Sequence, residues 1–103
     1  MTRKEEPDIP LFVKLCSDKA SYEIRMRSQT VFDMERVKEL LEAADYHKII
    51  VYTPHMIVLR SGEAEATFSR DGRMLIKKVS SGAEAIQVAN RIFQNVLPAA
   101  IKP

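Results

Sequence analysis

The side chains of this 103-residue sequence best suited to chemistry are Cys16, His47 and His55, the soft groups that a transition metal or a thiol–imidazole pair would need. A helical metal site places two such ligands four residues apart on one face, and no pair among these three has that spacing. A cysteine nucleophile needs an oxyanion-binding turn beside it. Cys16 has neither a glycine-rich loop nor a strand-to-helix elbow for a neighbour. The three residues read as a half-buried strand cysteine and two surface histidines at element ends, so no metal site and no catalytic residue is expected. Glu63 and Glu65 are the other pair with chemical potential, because residues two apart on a strand share a face and two carboxylates can divide acid and base roles. Solvated strands carry the same pattern. With Arg25, Arg27, Arg60, Arg73 and Lys77 available, cross-strand ion pairing is the better account. The three glycines form no phosphate-cradling loop, and no cofactor is expected.

The remaining chemistry is charge. The formal net charge is +2, but Asp33 to Tyr46 holds five acids against two bases, whereas Ala66 to Lys78 holds four bases against one acid. A sheet face carrying Lys14, Arg25, Arg27, Arg60, Arg73 and Lys77 suits a phosphate backbone or an acidic protein. Interspersed Glu23, Glu63 and Glu65 also suit a plain solvated face. Met26, Met34, Met56 and Met74 have apolar neighbours and read as core fillers.

The elements that must position these residues follow from periodicity. Ile9 to Cys16 is rich in strand formers, with Pro10 at its start. Ser17 to Ser21 reads as a turn. Tyr22 to Ser28 alternates, with Tyr22, Ile24 and Met26 on one face and Glu23, Arg25 and Arg27 on the other. From Asp33 the period lengthens. Met34, Val37, Leu40, Leu41 and Ala44 gather on one side of a helix that Asp33 can cap and Glu35 can favour through the helix dipole. Lys48 to Arg60 favours two strand pieces broken at Thr53-Pro54. After a turn at Ser61-Gly62, Glu63 to Ser69 alternates, with Ala64, Ala66 and Phe68 opposite Glu63, Glu65 and Thr67. Arg70-Asp71-Gly72 is a hairpin signal, and Arg73 to Val79 is the return strand. Ser81-x-x-Glu84 has capping-box spacing. The helix after it groups Ala85, Ile86, Ala89, Ile92, Phe93, Val96 and Leu97 on one face and stops at Pro98.

This order of strands, helix, meander and helix predicts an α+β domain in which two helices pack on one face of a curved antiparallel sheet. The length fits one domain, expected over residues 9–98, with a disordered tail at 1–8 and a short tail at 99–103. At 46% hydrophobic and 29% charged residues the chain is globular in composition, and no apolar run is long enough for a membrane span. Charged residues without an apolar stretch at Met1 to Asp8 point to the cytoplasm, and a lone cysteine forms no disulfide within the chain.

The stretch from Phe32-Asp33-Met34-Glu35-Arg36-Val37 through Ala44-Asp45-Tyr46, and the later Ala66-Thr67-Phe68-Ser69 with Gly72-Arg73-Met74, resemble one repeat of the TATA-box-binding protein family. The likeness covers roughly Tyr22 to Leu97. It implies a half-fold of that type in which Phe68 lies near the position of a phenylalanine that wedges between base steps. Arg70-Asp71 makes this hairpin one residue longer, and Ile9 to Cys16 is an added strand. The family carries two repeats in one chain. A single repeat implies a non-catalytic binding module whose sheet face binds nucleic acid, as a homodimer in which a second copy replaces the missing repeat. The other readings are an accessory subunit for protein–protein interaction, without nucleic acid, and a small ligand-binding protein. The expected binding residues are Lys14, Arg25, Arg27, Arg60, Phe68, Arg73 and Lys77.

Overall fold

A computed structural model describes residues 11–15, 21–26 and 30–101, with backbone alone for 11–15. The expectations for Met1 to Asp8, Cys16 and Arg27 lie outside the described residues. The strands are β1 (Leu11–Leu15), β2 (Ser21–Met26), β3 (Val31–Phe32), β4 (His47–Tyr52), β5 (Met56–Ser61), β6 (Ala64–Ser69), β7 (Arg73–Lys77) and β8 (Ala100–Ile101). The helices are α1 (Met34–Ala43) and α2 (Gly82–Val96). Strands β1-β2-β7-β6-β5-β4, in that spatial order, form one antiparallel sheet, and β3 pairs with β8 in a second, two-stranded one. The chain is thus α+β. Within the expected tail at 99–103, the described residues join the fold: Ala100 pairs with Phe32, Ile101 pairs with Val31, and the Asp33 amide donates to the Ala99 carbonyl at 2.9 Å.

Alternation along the strands explains the layering. Ile24, Met74, Ile76, Ala66, Phe68, Ile57 and Leu59 are buried on the face that meets the helices. Onto them pack Met34, Val37 and Leu41 of α1, and Ala85, Val88, Ala89, Ile92, Phe93 and Val96 of α2. At the centre, Phe68 meets Phe32 and Phe93 edge to face, with ring centroids 5.0 and 5.9 Å apart. Burying such side chains stabilises the fold by roughly 1.5–3 kcal/mol each. The periodic assignment for α2 differs at its margins. Val88 is buried, while Ile86 and Leu97 are both 36% exposed.

Local signals act where the residues suggest. The Asp33 carboxylate accepts from the Arg36 amide at 3.4 Å, and the Ser81 hydroxyl accepts from the Glu84 amide at 3.2 Å. Glu84 does not complete the expected capping box. Its carboxylate instead accepts from the amide and hydroxyl of Ser80, at 2.9 and 2.7 Å. Gly72 takes φ +90° in the β6–β7 hairpin, where the Asp71 carboxylate accepts from the Arg73 amide at 3.2 Å. Glu63 lies in the β5–β6 turn and not on β6, so it does not form a strand pair with Glu65.

Candidate functional site

The face of the large sheet turned away from the helices carries three cross-strand rows. In the first, Lys48, Arg60, Glu65, Lys77 and Ser21 stand in register across β4, β5, β6, β7 and β2. In the middle row Val51, Val58, Thr67, Leu75 and Glu23 line up, and Lys14 of β1 continues the register beside Glu23. The third row holds Met56 and Ser69, in register on β5 and β6, then Arg73 and Arg25, in register on β7 and β2. The outer rows are therefore basic and the middle one is mainly apolar. Lys48, Arg60, Lys77, Arg25 and Arg73 are exposed, while Val58, Thr67 and Leu75 are half-buried.

Among the described residues, two ion pairs on this face are long and one is short. Arg73 is 3.9 Å from Glu23 and 3.2 Å from Asp71, and Glu65 is 3.9 Å from Lys78. Lys48 and Arg60 form no ion pair with any described residue, although Arg60 is in register with Glu65. Like charges directly opposite on neighbouring strands cost stability. Among the described residues Lys48 and Arg60 are such a pair; Arg25 also stands opposite Arg73, where Glu23 and Asp71 lie beside Arg73. Around Arg73, the residues Glu23, Thr67, Ser69 and Leu75 border a shallow depression of about 230 Å³.

Of the expected binding residues, Arg25, Arg60, Arg73 and Lys77 share this face, and Lys14 falls in its register. Phe68 does not belong to it. Its side chain is fully buried against Phe32 and Phe93 on the helix side, so it cannot act as a wedge. The alternation that groups Phe68 with Ala64 and Ala66 carries that placement. Lys48 was missed, and its register opposite Arg60 follows from the β4–β5 turn.

A second polar cluster lies at the far end of β4. His47 was expected at the surface but is only 7% exposed, at the start of the strand that α1 packs against and in side-chain contact with Asn95 of α2. Its Nε2 is 2.7 Å from the Asn95 side-chain amide nitrogen. His47 Nδ1 and Ser61 Oγ, on cross-strand partners, are buried without a hydrogen-bond partner from the protein, an arrangement that costs roughly 1–3 kcal/mol per group. Burial, and then the nearby Arg91 charge, hold the His47 ring below the usual histidine range. Arg91 stacks over Tyr46, 4.5 Å from the ring centroid, and donates to its hydroxyl at 2.9 Å. Ser61, His47 and Asn95 form no hydrolytic triad: Ser61 Oγ has no hydrogen bond to the His47 ring, and Ser61 is 2% exposed and offers its hydroxyl to no substrate. His55 is exposed in the β4–β5 connection.

Among the described residues, no three His, Cys, Asp or Glu side chains gather as metal ligands, and no helix is long and apolar enough to cross a membrane. A depression of about 350 Å³ between Tyr52, Pro54, Ile101 and the start of α1 is bordered by Arg70, Asp33 and Glu35, charges of both signs that can satisfy one another. Comparison with protein-family models, with curated proteins and with solved structures finds no match.

Proposed function

We propose that this chain is a non-catalytic binding module that takes the phosphate backbone of a nucleic acid on the open face of its sheet. The observation that carries the reading is the opposition of Lys48 to Arg60, two exposed cations in register with no ion pair to a described residue. That pair is unfavourable in the free protein and favourable against an anion that sits between them. The rows lie across the strands, so cations from four different strands reach one surface, as contact with a repeating polyanion requires. The reading of the core as a half-fold of TATA-box-binding type rests on the residue matches, and the order strand, helix, four-strand meander, helix fits it.

Binding of this kind falls steeply with salt, because each phosphate neutralised releases counterions. Titration of duplex DNA, single-stranded DNA and RNA at low and at raised salt tests it. Affinity is lost on Arg25→Glu or Arg73→Glu. Absence of binding by all three at low salt overturns the reading. The half-buried Val58, Thr67 and Leu75 between the basic rows favour one other ligand, an acidic protein surface with an apolar centre.

The single repeat implies a homodimer with a longer sheet. Because β1 sits beside β2, the edges left for a second copy are the outer side of β1 and β4. Light scattering decides this, and a monomer at high micromolar concentration removes the dimer.

A further inference from the structure

We propose that His47 is an acid-sensitive latch: protonation of its ring drives it out from between β4 and α2 and frees that end of the sheet from the helix. The geometry supplies the two states. With a neutral ring, Nε2 is held by the Asn95 amide, and His47 and Ser61 close the β4–β5 pair beneath the C-terminal half of α2. A charged ring donates from both nitrogens and needs two acceptors and a counter-charge. No carboxylate meets it. On α2 the groups facing it are Asn95 and the cationic Arg91, and on β5 it is the Ser61 hydroxyl. The turn before β4 presents Tyr46, with the ring planes edge to face at 5.4 Å. On α1, Arg36 pairs with Glu39 and Lys38 with Glu42; Glu35, Arg36, Glu39 and Glu42 are exposed, and half-buried Lys38 sits over the Tyr52 ring, at the other end of β4 from His47. Asp45 and Glu63, in the flanking turns, are exposed, and Lys48 and Arg60 lie on the opposite face of the sheet.

Burial, and then Arg91, lower the ring's affinity for a proton below its usual value of 6.5. The unfolded chain thus binds a proton that the folded chain refuses, and stability rises with pH in this window. The contribution is fully present above the unfolded value and is lost as pH falls through it towards the folded one. Opening also moves Lys48 and Arg60, the next residues on the same two strands.

Imidazole NMR titration of the full chain is expected to show His47 titrating below its usual value of 6.5. As pH falls below 6.5, amide protection factors in the C-terminal half of α2 are expected to drop, more than in β6 and β7. Asn95→Asp, which sets a carboxylate against Nε2, should raise the His47 titration above its wild-type position and abolish the loss of protection. His47 titrating at or above 6.5 in the wild-type chain, or an equal change in protection across α2, β6 and β7, overturns the latch.

Discussion

Lys48 on β4 and Arg60 on β5 stand directly opposite each other on the open face of the sheet, two cations in register without an ion pair to any described acid. Lys48→Glu turns the repulsion into an attraction. It is expected to stabilise the protein by about 0.2–1 kcal/mol in urea denaturation, and to weaken nucleic-acid binding at low salt. Opposite signs for the two effects distinguish a binding surface from a merely solvated one, and a destabilised variant contradicts the cost assigned to the pair.

Phe68 holds the centre of the core between Phe32 and Phe93. Phe68→Ala should lower unfolding free energy by about 3–5 kcal/mol, the range for emptying a buried aromatic site. Phe68→Leu should cost less and leave nucleic-acid affinity unchanged. A loss of affinity in a folded Phe68→Leu protein would return the residue to the binding surface.

Ser81 caps α2 alone, since Glu84 turns to Ser80. Ser81→Ala should cost about 1 kcal/mol in thermal or urea unfolding. The Ser80 hydroxyl, and then its amide, hold the Glu84 carboxyl below the usual carboxylate range. Its contribution to stability is present above the unfolded value and disappears as pH falls through the folded one. Ser80→Ala should raise the Glu84 value in a carboxyl NMR titration. An unchanged value would show that the hydroxyl contact is absent in solution.

Gly72 combines φ +90° with a crowded surrounding, because a Cβ there would lie 3.4 Å from both Phe32 Cε1 and the Thr30 carbonyl oxygen. Gly72→Ala is expected to cost more than about 1 kcal/mol, measured by urea unfolding. Equal stability would mean that the hairpin relaxes to a different turn.

Much of the fold is legible locally. Alternation in Tyr22–Met26 and the three-and-four spacing from Met34 to Leu41 depend on neighbours along the chain, and the strand, the helix and their buried faces follow. The Asp33 cap and the Asp71-Gly72 reversal are local for the same reason. The β3–β8 pair was not legible. Val31–Phe32 and Ala100–Ile101 are two residues each, too short for a period, and they meet only because α2 returns the chain to the start of α1.

For the candidate site, the residue order by itself determined that bases and acids segregate, and that Arg25, Arg73 and Lys77 lie on the outward sides of amphipathic strands. Outward direction is a property of a single strand, which one face of alternation suffices to reveal. Tertiary structure alone decided which of those residues become neighbours, because register across strands depends on turn lengths and on the bulge between Ile49 and Val51. It brought Lys48 against Arg60 and Arg25 against Arg73, and it buried His47, a polar residue at the end of a strand, beneath a helix nearly fifty positions away in sequence. Burial of that kind comes from packing between distant elements, which no local pattern encodes.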